Sequence, residues 1–416
     1  MEGSRPSSVP ESVSRRSNAG SVAEATRALK FVVTPLVTLA TGVVAEHFSQ
    51  IKVLDALPDA LRRDVEKQLS LTHPLEEAVK YIQDGEYWKA RAYDRWKACN
   101  VQEHGSSWKQ LYVERNLADA IRALHDGVSD EGLDDVRRTA SFSARFLNGL
   151  VVEEFPTGVD IGQLMDFAHL SMTTLSLTYN KNNVGMAYQK LGRGMLLPDC
   201  KFLAKALERT ETLTVLRLTA NDLDDERVRM LATGISDNIT LTELDLSCNK
   251  IADRGARSLA KLLGNSSNIA KLVLADNHIH QEGGRALAKA LRMNRSLIHL
   301  NLRLNRVEDD GSRAIFDSLR NNNTLKELNL SANSISKQGI SSCAAMLYMN
   351  HSLESLDIGG NHGLNDEIGR LLRESIDHNK GLRKFDATLC DIGDDSLDGI
   401  NFLLAAKQPP SVFVSA

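Results

Sequence analysis

Four stretches decide how this chain folds: LTELDLSCN (residues 241–249), IAKLVLADN (269–277), LIHLNLRLN (297–305) and LKELNLSAN (325–333). Each fits the template L-x-x-L-x-L-x-x-N. So do the stretches that end at Asn180, Asn221 and Asn361 and, weakly, the one that ends at Cys390. From Asn221 to Asn361 the asparagines recur five times in succession at intervals of 28 residues, which chance does not produce. After the asparagine come Gly255, Gly283, Gly311 or Gly339 and then apolar pairs such as Leu259/Leu263, Leu287/Leu291 and Ile315/Leu319. Those pairs sit four apart, the spacing of one helical face. Asn265, Asn294, Asn322 and Asn350 then close the helix and lead into the next strand. Each repeat is therefore one strand plus one helix.

The template has a direct physical reason. Strand leucines point inward and meet helix leucines of the same and adjacent repeats, so no repeat buries its apolar face alone and stacking is required. The asparagines Asn180, Asn221, Asn249, Asn277, Asn305, Asn333 and Asn361 sit where strand turns toward helix. Their amides can satisfy backbone groups that would otherwise be buried unpaired; Cys390, last in the series, does this poorly. The expected fold is α/β: a solenoid of about eight 28-residue repeats over residues 171–407, preceded by a small all-α domain. The repeats resemble the ribonuclease-inhibitor-like class of leucine-rich repeats. Asn180 and Asn221 are 41 residues apart, which places an insertion at residues 181–198.

Upstream, residues 1–27 are rich in Ser, Arg and Pro without hydrophobic periodicity and read as a disordered tail, and residues 408–416 form a tail at the other end. Residues 28–125 read as a helical domain. Thr34-Pro35 and Leu57-Pro58-Asp59 open helices, another begins near Pro74, and Ser107 caps a further one. Residues 126–170 read as a connecting helical segment or cap. All three Trp and four of the seven Tyr fall between positions 81 and 112, which marks a local aromatic module.

The chain has 416 residues with 42 % hydrophobic and 25 % charged side chains, the composition of a folded globular protein rather than a disordered one. A formal net charge of −4 argues against a general polyanion binder. Cys99, Cys200, Cys248, Cys343 and Cys390 are odd in number and widely spaced, without zinc-ligand spacing, which fits a reducing compartment. The apolar run from Phe31 to Ala45 is 15 residues long and contains a proline, short of the ~20 a membrane helix needs. A soluble intracellular protein is expected. The sequence holds no phosphate-binding loop, nucleophile elbow, zinc-protease or calcium-loop motif, and its histidines are scattered, so no enzyme, cofactor, metal or small-molecule substrate is expected.

Residues flanking the strand leucines point away from the core. They mark a candidate protein-binding face of Arg217, Glu243, Asp245, Lys271, His299, Asn301, Arg303, Glu327, Asn329, Asp357, Lys384 and Asp386. The face is polar, mixed in sign and free of aromatic rings, which argues against nucleic acid. A second candidate is the aromatic element Tyr87, Trp88, Tyr93, Trp96 and Trp108, for docking or for packing.

Residues 81–96, YIQDGEYWKARAYDRW, are similar to an I-x-D-x-x-YWK-R-x-x-x-RW element, with Ala90 between Lys89 and Arg91, after an L-P-x-x-L helix and a Pro-Leu step, with the repeats following. This order resembles the t-complex-associated testis-expressed leucine-rich proteins, subunit 5 of the nexin-dynein regulatory complex. The resemblance implies a non-enzymatic axonemal scaffold in the cytoskeleton of a cilium or flagellum. Its implied partners are other regulatory-complex subunits, with no nucleic acid, no membrane and no self-assembly. An F-box-like substrate adaptor of a ubiquitin ligase is the alternative that Leu57 to Leu61 suggests, and a Ran-type GTPase-activating protein shares the repeat class.

Overall fold

The computed structural model describes residues 35–51, 54–124, 129–164, 171–179, 194–264 and 267–407. Both expected tails, Thr34, Asn180, Asn265 and most of the insertion at 181–198 lie outside them; Leu197 and Pro198 already belong to a helix. The described residues pack as two units that divide between His73 and Pro74. The helical domain expected over residues 28–125 is therefore split.

The first unit holds α1 (Leu36–Glu46) and α2 (Asp59–Gln68). Each begins after a proline, Pro35 or Pro58, and neither proline caps through a side chain. Gln68 Nε2 donates to Thr41 Oγ1 at 2.8 Å and ties the two helices together.

The second unit opens with α3 (Leu75–Tyr81), α4 (Gly85–Arg95), α5 (Trp108–Ala123) and α6 (Asp130–Ser143). Side chains cap three of them: Asp84 accepts from Tyr87 N, Ser107 from Gln110 N and Ser129 from Gly132 N. The repeats follow as β2 (Thr174–Leu177), α7 (Leu197–Leu207), β3 (Val215–Arg217), α8 (Asp225–Ile235), β4 (Glu243–Asp245) and α9 (Asp253–Gly264). They continue as β5 (Lys271–Val273), α10 (Gln281–Met293), β6 (His299–Asn301), α11 (Glu308–Leu319), β7 (Glu327–Asn329) and α12 (Lys337–Met349). The last elements are β8 (Ser355–Asp357), α13 (Asp366–His378), β9 (Lys384–Asp386) and α14 (Asp394–Lys407). The strands pair in parallel and in sequence order, with Leu216, Leu244, Leu272, Leu300, Leu328 and Leu356 in register.

The sheet has nine strands among the described residues, one more than the template predicts. The added strand is β1 (Gly149–Val152), inside the segment read as a helical connection. It escaped because its template is disguised. Leu147, Leu150, Val152 and Phe155 keep the template spacing, but Phe155 stands where the asparagine belongs. That ring is buried against Tyr179, 5.0 Å between centroids, and the backbone N–H of Phe155 donates to Thr178 O at 2.8 Å. Helix α5 packs against β1. The buried carboxylate of Glu114 accepts from Asn148 N at 2.9 Å and Gly149 N at 2.7 Å, so it satisfies donors where the sheet begins.

Asn277 shows how consecutive repeats are fastened. Its Nδ2 donates to Leu246 O of the preceding repeat at 3.0 Å and to Leu274 O of its own at 3.1 Å, while its Oδ1 accepts from Ile251 N at 3.0 Å. Asn249, Asn305 and Asn361 repeat the arrangement, Asn221 and Asn333 make its cross-repeat bonds, and all six are buried. Cys390 offers the same direction only a thiol, Sγ to Ile358 O at 3.1 Å. The residue before each asparagine turns through the left-handed region, including Ala220, Cys248, Leu304 and Ala332, with φ near 55°. That conformation costs a non-glycine residue roughly 1–2 kcal/mol, which the ladder bonds offset.

A second asparagine series runs along the helix ends. Asn294, Asn322, Asn350 and Asn379 donate to Leu263, Leu291, Leu319 and Leu347 carbonyls of the preceding repeat at 2.7–2.8 Å. At the helix starts, Asp253 Oδ1 accepts from His280 N and Gly283 N, both at 2.8 Å, and Asp225 and Asp309 act alike on Gly255 and Gly339. A Cβ on Gly283 would lie 2.6 Å from Ile279 Cγ2 and 2.8 Å from that carboxylate, so only glycine fits.

Replacing Asn277 with Ala leaves the buried Ile251 N–H and Leu246 carbonyl without these partners. The expected loss is about 1–3 kcal/mol of unfolding free energy. An unchanged denaturant midpoint would refute the ladder's role.

Candidate protein-binding surfaces

The candidate face is the outer side of the sheet, where β5 to β9 line a groove of about 500 Å³. Its residues fall into columns along the sheet, and the columns behave differently. In the first, polar side chains meet across strands, and Arg217 reaches into it from the second. Glu243 receives Arg217 at 2.9 Å and Lys271 at 3.4 Å, and His299 Nδ1 lies 2.9 Å from Glu327. Such exposed pairs contribute ~0–1 kcal/mol each, and a partner can exchange them without much cost.

The second column does structural work. Asp245, Asn301, Asn329, Asp357 and Asp386 each accept, through Oδ1, the backbone N–H two residues on, at 2.8–3.0 Å. These are Asx turns that bend the chain off the strand end, so the short polar residues are there for the turn. Asn329 also donates to Asp357 Oδ2 at 2.7 Å. Arg303 and Lys384 are the exposed cations of the face that form no ion pair among the described residues. Phe385 occupies the leucine position of β9, in register with Leu356 and half-buried, so it belongs with the core-facing series and not with the flanking positions.

The aromatic element separates into packing and presentation. Tyr87 and Trp88 are buried, and Trp88 Nε1–H donates to Ile82 O at 3.1 Å. Arg91, also buried, donates to Tyr87 Oη at 3.0 Å and lies 5.0 Å from the Tyr112 ring. Burial pushes the Tyr87 phenol above its ordinary pKa, and the Arg91 charge offsets part of that rise. Trp96 is half-buried and lies close to both Arg95 (5.0 Å) and Arg115 (4.7 Å), with its Nε1–H donated to Asp119 at 3.1 Å. Tyr93 is 51 % exposed and rests on half-buried Trp108 at 5.3 Å. The YWK segment thus builds the core of α4 and α5, and Tyr93 is the ring it presents. Arg91 falls inside the quoted pattern, whereas Arg115, which lies over the Trp96 ring, carries no motif in the sequence.

A family model described as Leucine Rich repeat matches residues 237–260, 265–288, 294–316, 321–342 and 350–372. The chain is 40 % identical over 199 residues to "Dynein regulatory complex subunit 5" of Chlamydomonas reinhardtii, covering 48 % of this chain and 50 % of that protein. Proteins of the same name from Mus musculus (30 % over 233 residues) and Homo sapiens (32 % over 234) match 49 % of this chain and 46 % of their own length. The chain therefore spans about half the length of the curated relatives it matches. Among solved structures, a leiomodin-1 actin-binding site 2 domain (23 % identity, TM-score 0.29) covers 30 % of this chain and 73 % of that one. A tropomodulin C-terminal domain of Caenorhabditis elegans (14 %, TM-score 0.32) covers 36 % and 92 %. Neither superposition is close enough to carry an argument.

Burial separates the two halves of the aromatic element energetically. Trp88→Ala is expected to cost about 3–5 kcal/mol in urea unfolding and Tyr93→Ala no more than about 0.5 kcal/mol. Equal losses would contradict this division.

The ubiquitin-ligase and Ran-type readings find no support in these comparisons: the chain carries leucine-rich repeats and is homologous, over about half its length, to curated proteins named dynein regulatory complex subunit 5.

Proposed function

We propose that this chain is a non-enzymatic scaffold subunit of the axonemal dynein regulatory complex, acting in cilia or flagella through contacts with other subunits of that complex. The observation that carries the reading is the 40 % identity over 199 residues to the Chlamydomonas subunit. The architecture supports it in physical terms. Two asparagine series and the helix-start aspartates tie each repeat to the next, so the repeat array resists deformation and holds surface residues at fixed spacing. Arg303 and Lys384 on the sheet face, and Tyr93 on α4, are the side chains we assign to partner contacts, because the fold uses them least. The neighbouring Asx residues serve the turns.

Fractionation of flagellated cells with detergent and then stepwise salt tests this directly. The protein is expected to stay with the axoneme after detergent and to leave it in strains that lack other regulatory-complex subunits. Release into the detergent-soluble pool of otherwise normal flagella would refute the assignment.

A further inference from the structure

The repeats carry a second groove, on the helix side, that the reading above does not use. It runs between α9 and α10 and has a volume of about 760 Å³. Its floor is apolar: Ala260, Ala286 and Ala290 keep it open, and Met293, 78 % exposed, stands at one end. Its rim is basic. Arg257, Lys261 and Lys289 are exposed and have no ion-pair partner among the described residues. The fourth rim cation, Arg285, is held by Glu282 and Asp310, both at 2.6 Å. Arg254 and Arg292 add exposed positive charge on the same two helices, while the Asp253 carboxylate is occupied by backbone donors of α10.

This balance is local. On the sheet face Glu243 answers both Arg217 and Lys271, and the next helix, α11, begins with Glu308, Asp309 and Asp310. Uncompensated cations along an apolar trough call for a ligand with both an apolar row and negative charge. An extended polyanion supplies the charge but leaves Met293 and the alanine floor exposed, and the trough presents no ring on which a base could stack.

We propose that the α9–α10 groove docks an acidic amphipathic helix of a partner protein. Helix α10 has 13 residues, so the trough is about 20 Å long and takes three to four turns of helix. Apolar side chains at i, i+3 or i+4, and i+7 of the partner pack on the alanines and Met293, while flanking Glu or Asp side chains reach Arg257, Lys261 and Lys289. The inference is independent of the axonemal assignment, since it concerns a different face and rests on charge and shape alone.

The test uses the full chain and a fluorescein-labelled synthetic helix of about 14 residues with leucines on one face and glutamates beside them. Fluorescence anisotropy is expected to show binding that weakens with added salt. It should weaken at least about tenfold in the R257E/K261E/K289E variant, whose melting temperature stays near that of the parent because those side chains are exposed and unpaired. Met293→Ser should weaken binding severalfold, and R303E/K384E on the sheet face should leave it unchanged. Absence of binding by the parent chain, equal affinity in the triple variant, or loss on altering the sheet face would each overturn the proposal. Binding of heparin as tight as that of the peptide would overturn the choice of occupant.

Discussion

A buried asparagine amide that donates to a carbonyl of the repeat before it, and accepts an N–H from the same repeat, is the constraint on which this structure depends. The repeat strands from β3 onward are three residues long, so the sheet itself satisfies few backbone groups and each repeat leaves its turn with donors and acceptors facing a dry interior. Asn249, Asn277, Asn305, Asn333 and Asn361 meet that need, and they do it across repeats, so satisfying the backbone and stacking the repeats are one event. Leucine burial supplies the driving force, but leucines alone would permit sliding. The amides fix the register.

The same logic recurs at the other corners of each repeat. Asn294 to Asn379 bind the helix ends, and Asp225, Asp253 and Asp309 bind the helix starts. Where the aspartate is absent, at Gln281, the helices approach another way: a Cβ on Gly284 would come within 3.0 Å of Gly311 Cα. At the first strand Phe155 and Glu114 take over, one by filling volume and the other by accepting from the sheet's leading amides. The terminal positions thus depart from the pattern because they have a repeat on one side only.

These constraints decide which of the candidate residues the fold leaves uncommitted. Of the twelve sheet-face positions that the alternation singles out, five bend the chain as Asx turns, and three others, Arg217, Glu243 and Lys271, are engaged in cross-strand ion pairs. His299 and Glu327 meet one another across strands at 2.9 Å, which leaves Arg303 and Lys384. Spacing reveals that a side chain leaves the core but not what it meets outside, because its neighbours come from strands 28 residues away. The aromatic segment shows the converse. Its clustering is evident from the sequence, yet whether a ring packs or protrudes depends on α5, which covers Trp88 and leaves Tyr93 at the surface.

The sequence by itself determined the repeat, its length, the strand-plus-helix unit, the inward leucines and the asparagine positions, because all of these follow from periodicities within one 28-residue unit. Tertiary structure alone decided the ninth strand, whose asparagine is replaced by Phe155, the docking of Glu114 onto the sheet edge and the basic trough between α9 and α10. The physical reason is the same in each case. A periodic pattern encodes contacts between equivalent positions of neighbouring units. The ends of the array and the faces between helices are made by residues that are not equivalent, and only their meeting in space gives them a role.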